Sequence, residues 1–448
     1  MRRVSLAILV TAIAMCACTR AHDSPKAERG HNVILILIDT TRADHVGCYG
    51  YERNTTPNLD KFASDAILFT NAISPAPWTT PTVASMFTAQ YPHVLGYQDQ
   101  AVVLDEKFPC LAEILRNSGY ATGGIISHAY ISDTFGIGQG FDSYDEENAQ
   151  GHGHVSSPSV TEKAIAFVEE NMDRKFFLFV HYFDPHCDYI LHEEYDYYPD
   201  YEGPLVSGQT ISDLRELAPG MTEEDVRFLN ALYDSEIRFT DEHVGRFLDV
   251  LKELGLYDTS IIVIGADHGE EFLERGDHWI GHTRTVYQEL IHVPLMIRLP
   301  GEAGARVIDQ YVGLVDFTPT ILMLNGLEMP DGYTHDGVAL EIAGGKTPQA
   351  RAVFSETMRW GTYQAMIRDG LKLIYDPTND STQLIDLAED PGETRDLGAE
   401  DLKTLRMMQT DLHEWDYQMR LRRAELKTRS PKLSQDQVDQ LKSLGYIR

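Results

Sequence analysis

Two stretches of the sequence carry residue types that could hold a divalent cation. Asp267 and His268 follow the apolar run 261–264, and Asp39 closes the apolar run 32–38. Carboxylate oxygens and imidazole nitrogens are suitable ligands for Zn²⁺ or Mn²⁺. Asp267 and His268 therefore form a candidate metal pair, to which Asp39 could add a third ligand.

Thr79 is the candidate nucleophile. Pro81 suits the first turn of a helix, so Thr79 is expected at or just before a helix N-terminus, where amide donors and the helix dipole favour an anion. A threonine hydroxyl is a poor nucleophile alone, but a divalent cation can hold it as an alkoxide. The alternative, that Thr79 is simply the N-cap of the helix, stays open at this point because threonine favours that position.

Histidines form the other group of candidates. His181 and His186 follow a predicted strand, whereas His278 and His282 lie in the loop 276–282. Such side chains could contact substrate oxygens, protonate a leaving group or bind a second metal. Most loop histidines do none of these. The presence of several such histidines together is therefore what supports a functional role for any one of them.

Three predicted strands must position these residues. The runs 32–38, 176–180 and 261–264 are continuously apolar, as central parallel strands are when both faces of a sheet are covered. Each run leads into Asp or His residues. Because ligands in open α/β sheets bind beyond the carboxyl ends of the strands, the three strand ends predict one shared site.

The remaining chain divides into further segments. Residues 222–254 predict a long helix or a broken pair, and from about residue 350 short half-apolar strands precede a charged helix over about 402–426. The predicted organisation is a signal peptide over 1–17, a linker over 18–31, a catalytic domain over 32–349 and an α+β subdomain over 350–448.

The N-terminus is typical of an export signal. Arg2 and Arg3 precede an apolar run, 4–15, that is too short to span a bilayer. Small residues before Cys18 resemble a bacterial lipobox, so a lipid anchor at Cys18 and plain cleavage to a periplasmic product are both open. The expected location is the bacterial cell envelope.

Charge and cysteine content narrow the function. The formal net charge is −31, which gives no general attraction to nucleic acid or anionic lipid. A small anionic ester as substrate would need a local positive site, and a metal ion is the obvious means. Three widely spaced cysteines follow the signal and imply no disulfide framework: Cys48, Cys110 and Cys187. The sequence does not define an oligomeric state.

Many ordered segments carry a family resemblance, among them NVILILIDTTRADHVGCYGY, FVHYFDPHCDY, IIVIGADHGEEF, QLIDLAEDPGETRDL and QLKSLGY. On these segments the chain resembles the sulfatase family of the alkaline phosphatase superfamily, from about residue 31 to the C-terminus. The resemblance implies an α/β fold with a large, mostly parallel central sheet flanked by helices, plus a small C-terminal α+β subdomain.

The nucleophile motif departs from the family pattern. That motif is Cys or Ser, any residue, Pro, then Ser or Ala and Arg, and true sulfatases oxidise the Cys or Ser to formylglycine. By spacing from Pro81, Thr79 holds this position, and Val83 stands where the Arg would be. Threonine cannot become formylglycine by that route. The departure points to a relation with members of the superfamily that use threonine: nucleotide pyrophosphatases/phosphodiesterases, lipoteichoic acid synthases and phosphoethanolamine transferases.

The resemblance also implies roles for the candidate residues. It implies a metal set made of Asp39, Thr79, Asp267 and His268. His186 and His282 would contact the substrate anion or the leaving group, and the further substrate-binding candidates are His128, His181 and His278. Thr40 stands where many sulfatases carry a second Asp, so zinc or manganese is favoured over calcium or magnesium.

The leading hypothesis is a metal-dependent hydrolase of phosphate or sulfate esters, with phosphorus favoured by the nucleophile. Thr79 would attack in line, water would resolve the covalent adduct, and a histidine would protonate the leaving oxygen. One alternative is a phosphoryl-group transferase, although such lipid-consuming enzymes usually carry a multi-span membrane domain. The other is a sulfatase-fold binding protein without activity, against which the retained Asp39, Asp267 and His268 argue.

Overall fold

The computed structural model describes residues 30–97, 102–149, 155–276, 278–424 and 426–443. The predicted signal peptide, Cys18 and most of the linker lie outside the described residues. Every helix within these ranges is too short or too polar to cross a bilayer. Among the same residues, the three cysteines that follow the predicted signal form no disulfide.

A mostly parallel sheet forms the centre of the fold. The described strands are β1 (Asn32–Ile38), β2 (Ile67–Ile73), β3 (Ala121–Ile125), β4 (Ser143–Asp145), β5 (Phe176–Tyr182), β6 (Ser260–Gly265), β7 (Glu271–Phe272), β8 (Ile280–Gly281), β9 (His292–Arg298), β10 (Arg306–Ile308), β11 (Val312–Gly313), β12 (Val353–Thr357), β13 (Tyr363–Arg368), β14 (Leu371–Asp376) and β15 (Ser381–Asp386). The central sheet has the order β10-β2-β9-β6-β1-β5-β3-β4, and β11 also pairs with β2. Its pairings are parallel except those of β9, which runs antiparallel to both neighbours. The predicted fold class is confirmed.

Helices cover both faces of this sheet. The described helices are α1 (Pro57–Ala63), α2 (Thr79–Thr88), α3 (Pro92–Leu95), α4 (Leu111–Asn117), α5 (Ser157–Glu170), α6 (Ile211–Leu217), α7 (Glu223–Glu253), α8 (Gln288–Ile291), α9 (Phe317–Leu324), α10 (Leu402–Arg423) and α11 (Gln435–Ser443). The helix predicted over 222–254 is one continuous helix, α7, which begins at a capping box formed by Thr222 and Asp225.

The side chains of β1 show why its sequence is apolar throughout. Val33, Leu35 and Leu37 pack into one buried cluster with residues of α2 and α9. The alternate residues, Ile34 and Ile36 among them, pack into a second cluster with residues of α1, α5 and α7. Successive side chains of a strand point to opposite faces, so both faces of β1 are buried and the strand is held rigidly in the middle of three layers.

A second sheet lies in the C-terminal part of the chain. Strands β12 to β15 form an antiparallel sheet in sequence order, and α10 packs against β13 and β14. These elements match the predicted half-apolar strands and charged helix, although α10 ends at Arg423. The division into domains at residue 350 stays a prediction.

A buried ion-pair network connects this sheet with the segment that follows β7. Lys372 Nζ of β14 lies 2.6 Å from Glu393 Oε1, and both side chains are fully buried. Arg275, between β7 and β8, lies 3.3 Å from the same glutamate and pairs with Glu289 of α8. Four charges from distant parts of the chain thus compensate one another away from water.

Candidate active site

The carboxyl ends of three adjacent strands build the site. Leu37 of β1 is in register with His181 of β5 on one side and with Gly265 of β6 on the other. Asp39 directly follows β1, and Asp267 and His268 directly follow β6. The parallel direction of these strands brings their polar ends to one edge, as the strand pattern predicts.

Asp39, Asp267 and His268 offer ligand atoms that all lie within 4.8 Å of one another, and all three residues are buried. His268 Nε2 is 3.6 Å from Asp39 Oδ1 and 3.5 Å from Asp267 Oδ2. The backbone N–H of Thr40 donates to Asp267 Oδ1 at 3.3 Å.

The electrostatics of these carboxylates fit a cation. Among the described residues, neither carboxylate oxygen of Asp39 has a hydrogen-bond partner, and neither has Asp267 Oδ2. Burial raises the pKa of Asp39 well above its usual range, and the charges of Asp267 and Glu270 raise it further. Buried carboxylates without donors are costly unless a positive charge compensates them. The three residues and their uncompensated oxygens therefore fit a divalent cation.

Thr79 is the first residue of α2, and the N-cap position belongs to Trp78. The alternative that Thr79 is an N-cap is therefore wrong. Its hydroxyl Oγ1 lies 3.1 Å from His268 Nε2. The other ring nitrogen of His268, Nδ1, lies 2.9 Å from the carbonyl oxygen of Gly269, which holds the proton on Nδ1 and leaves a lone pair on Nε2 facing Thr79.

Four of the predicted histidines form a connected group beside Asp39 and His268. His128, His181, His186 and His282 are all buried. The ring centroid of His282 lies 4.5 Å from that of His268 and 4.9 Å from that of His186. The centroids of His128 and His186 are 5.3 Å apart. His278 is exposed and lies outside this buried group, so its role stays a prediction.

Hydrogen bonds orient two of these rings. The backbone N–H of Tyr130 donates to His128 Nδ1 at 2.9 Å, so the proton of the neutral ring is on Nε2, which lies 3.9 Å from Asp39 Oδ2. His282 Nδ1 lies 2.8 Å from Glu270 Oε1. The tautomer of each ring is thus set by a group outside the metal ligands.

Burial favours the neutral form of two site histidines, His181 and His282. It lowers the pKa of His181 to about 4 and the pKa of His282 well below its usual range. Burial also raises the pKa of Glu270 to about 7. Sequence reasoning missed Glu270 as the partner of His282, and its position three residues after Asp267 offered the only signal.

Comparisons with known proteins identify the family of this chain. Residues 31–327 match the family described as sulfatase, and residues 276–420 match the one described as N-sulphoglucosamine sulphohydrolase, C-terminal. The chain therefore belongs to the sulfatase family, a family of ester hydrolases in the alkaline phosphatase superfamily.

Two curated relatives are sulfatases. The chain is 26% identical over 348 residues to an ulvan-active sulfatase of Formosa agariphila, in an alignment that covers 71% of this chain and 66% of that protein. It is 24% identical over 415 residues to an N-acetylglucosamine-6-O-sulfatase of Bacteroides thetaiotaomicron, with 73% of each chain covered.

Solved structures share the fold. A protein solved in complex with its substrate D-glucosamine-2-N,6-O-disulfate superposes with a TM-score of 0.71 at 21% identity, over 88% of this chain and 98% of that chain. The phosphonate monoester hydrolase of Agrobacterium radiobacter also gives a TM-score of 0.71 at 21% identity, over 87% of this chain and 96% of that one. At such identities the likeness concerns the fold alone.

Proposed function

We propose that this protein is a metal-dependent hydrolase of phosphate or sulfate esters in which Thr79 is the nucleophile. One observation carries the proposal: the Thr79 hydroxyl lies at the buried start of α2, 3.1 Å from His268 Nε2 and beside the cluster of Asp39, Asp267 and His268. A hydroxyl in this position faces both the lone pair of an imidazole and two carboxylates that a cation would compensate.

Asp39, Asp267 and His268 would hold the cation, with Thr79 Oγ1 as a further ligand. The imidazole favours zinc or manganese over calcium, which prefers an all-oxygen set. When bound, the cation supplies the positive charge that favours the alkoxide form of Thr79 and neutralises the ester oxygens. Backbone N–H groups at the start of α2 provide additional positive potential for the anion.

The reaction then follows from the chain's own groups. Thr79 Oγ1 bonds to the phosphorus or sulfur atom while the bond from that atom to the alcohol oxygen breaks. An imidazole takes the proton from the Thr79 hydroxyl and gives it to the leaving oxygen, and His282 and His186 are the candidate rings for this transfer. Water then cleaves the bond between Thr79 Oγ1 and the phosphorus or sulfur, which releases the inorganic anion and restores the hydroxyl.

Phosphate esters are the favoured substrates because threonine cannot become formylglycine by the sulfatase route. The threonine-nucleophile members of the superfamily attack phosphorus. The fold itself does not separate the two ester classes, since a sulfatase and a phosphonate monoester hydrolase both share it.

The test compares three substrates with the purified protein loaded separately with zinc and manganese. The substrates are an aryl sulfate, an aryl phosphate monoester and a bis-aryl phosphate diester. Thr79→Ala should lower turnover about a thousandfold or more, as removal of a nucleophile does, and should leave the metal content nearly unchanged.

Ser85→Ala is the matched control. Ser85 is a buried hydroxyl on the same helix and has no hydrogen-bond partner among the described residues. Its removal should leave turnover within about twofold of the wild-type value. Equal turnover in the Thr79→Ala variant and the wild type would remove Thr79 from the mechanism.

The predicted signal peptide supports a location in the bacterial cell envelope. The two alternatives, a lipid anchor at Cys18 and a periplasmic form without it, differ in mass. Mass spectrometry of the mature protein from its native membrane fraction distinguishes them, since an acylated cysteine adds the mass of its fatty acids.

A further inference from the structure

Arginine and tryptophan side chains from several parts of the chain lie beside the candidate active site. We call this group the arginine–tryptophan wall, and its members are Arg215, Arg284, Arg359, Trp78, Trp279 and Trp360. They come from α6, from the segment around β8, from the loop between β12 and β13, and from the residue before α2. In a chain of net charge −31, such a concentration of guanidinium groups is unusual.

Arg215 is held next to His282. Its guanidinium carbon lies 3.9 Å from the ring centroid of Trp279, and its Nε donates to the carbonyl oxygen of Ile280 at 2.8 Å. A Cβ atom at Gly281 would lie only 2.5 Å from Arg215 Nη2, and Gly281 has a φ of +116°. A glycine directly before His282 therefore permits the close approach of Arg215 to the site.

Arg359 lies over the ring of Trp78, the residue before Thr79. Its guanidinium carbon lies 4.8 Å from the ring of Trp78 and 5.4 Å from the ring of Trp360, and its Nη2 donates to the hydroxyl of Tyr130 at 3.4 Å. Trp78 is the N-cap of α2 and directly precedes Thr79. Arg359 is 4% exposed, so the stacked arrangement is part of the packed structure.

Both guanidinium groups act on the site electrostatically. The charges of Arg215 and Arg359 each contribute to the low pKa of His282. Arg215, Trp279 and Trp360 are half-buried, so this part of the wall is accessible to a ligand. An anion that entered beside His282 would lie within the field of both arginines.

We propose that the arginine–tryptophan wall binds the alcohol part of the substrate, and that this alcohol carries a ring and a second anionic group. This inference rests on the proposed function, which places the ester itself at Thr79. A guanidinium stacked on an indole keeps its N–H groups in the plane of the guanidinium, away from the indole face. There they can donate bidentate hydrogen bonds to a carboxylate, sulfate or phosphate. The indole faces provide flat apolar surface for the ring.

The same contacts would also hold the loops together if the wall had only a structural role. The two roles differ in one respect. A structural role predicts that substitution changes stability and the binding of all ligands alike. A specificity role predicts that substitution changes the preference between two ligands that differ only in the second anion.

The experiment measures binding by isothermal titration calorimetry to the metal-loaded full chain. The two probes are phenylphosphonate and 4-carboxyphenylphosphonate, which share the phosphonate and the ring. The wild type should bind the carboxylated probe about tenfold more tightly, the effect of one charge-assisted contact. Arg215→Gln should reduce this preference to about twofold or less, and Arg215→Lys should give an intermediate value because it retains the charge without the fork.

Arg368→Gln is the control, since Arg368 is a half-buried arginine of β13 that pairs with Asp411 at 2.7 Å. It should retain the wild-type preference. The proposal is overturned if the wild type binds both probes equally, if it binds neither, or if Arg215→Gln keeps the full preference. Thermal melting of each variant verifies that it is folded.

Turnover is measured separately, so the two proposals can fail independently. A preference without hydrolysis of any ester would refute the proposed function and support the wall as a binding site. Hydrolysis by a Thr79-dependent route without any preference would refute the role of the wall and support the proposed function.

Discussion

Replacing Asp39 by asparagine should stabilise the metal-free protein while weakening its metal binding. Both carboxylate oxygens of Asp39 are buried without a hydrogen-bond partner among the described residues. Its charge also lies close to those of Asp267 and Glu270, which raise its pKa in addition to burial. Asparagine has nearly the same shape and no charge. When a chelator keeps the protein free of metal, Asp39→Asn therefore removes the repulsion between Asp39 and the carboxylates of Asp267 and Glu270. It loses no hydrogen bond described in the structure.

The size of the effect follows from the environment of the carboxylate. A neutral buried polar group without a partner costs about 1–3 kcal/mol and a charged one costs more. Asparagine keeps the first cost and removes the excess, so the expected gain in the free energy of unfolding is about 1–3 kcal/mol. Unfolding entropy scales with chain length, so for a protein of this size 1 kcal/mol corresponds to roughly 1 °C in melting temperature. With a cation at about a thousand times its dissociation constant, the wild type gains about 4.1 kcal/mol, whereas the variant gains little. The order of the two melting temperatures should therefore reverse.

Thermal unfolding in chelator and then in excess zinc or manganese measures both effects. Asp184→Asn is the contrasting variant, because Asp184 accepts hydrogen bonds from the backbone N–H groups of Ser156 and Ser157 at 2.7 and 2.9 Å and from the Ser156 hydroxyl at 2.6 Å. It should melt below the wild type under both conditions. A melting temperature of Asp39→Asn below that of the wild type in chelator would show that the carboxylate is already compensated, and the inference of a cation site would fail.

Three further predictions concern other parts of the molecule. Glu270→Gln should lower kcat about tenfold or more with unchanged metal content, because Glu270 orients His282. Steady-state kinetics and metal analysis would check this prediction, and an unchanged kcat would contradict it. Lys372→Met should lower the free energy of unfolding by about 3 kcal/mol, since it leaves Glu393 buried without its closest partner. Urea unfolding would measure the loss. An unchanged free energy of unfolding would contradict the stabilising role of the network. Burial raises the pKa of Glu236 to about 7, above its ordinary 4.5. Its contribution to stability is therefore fully present below pH 4.5 and falls by about 3 kcal/mol as pH rises through 7. Glu236→Gln should flatten that part of the stability profile, and an unchanged profile from pH 5 to 8 would refute the assignment.

The sequence predicted the parts of the fold that depend on local pattern. Buried parallel strands have continuous apolar sequences, so β1, β5 and β6 could be recognised together with their polar ends. The direction of β9 could not, because a strand covered on both faces looks the same whichever way it runs. The antiparallel direction of β9 depends on how the connection from β6 leads the chain into the position between β6 and β2 in the sheet.

The site shows a similar division. Asp39, Asp267 and His268 come just after predictable strands, and Thr79 begins a predictable helix. The structure brings these residues together. Arg215 and Arg359 lie on elements whose position depends on packing between distant segments, so nothing local indicated that they approach the site. His278 has a φ of +61° in the turn between β7 and β8, which carries it outward while His282 faces inward.

The central place of β1 affects how the protein is made. Its two neighbours in the sheet, β5 and β6, lie about 140 and 230 residues further along the chain. At about 5–20 residues per second, a ribosome needs roughly 10–45 s after β1 emerges to produce the last of them. Until β5 is made, β1 has neither of its partners, and until β6 is made it lacks one of them. A continuous apolar segment without charge has the composition most prone to form intermolecular β-structure. The nascent chain must therefore be kept from aggregating through this segment during synthesis. We expect aggregation at this stage to be the main cause of a low yield of folded protein.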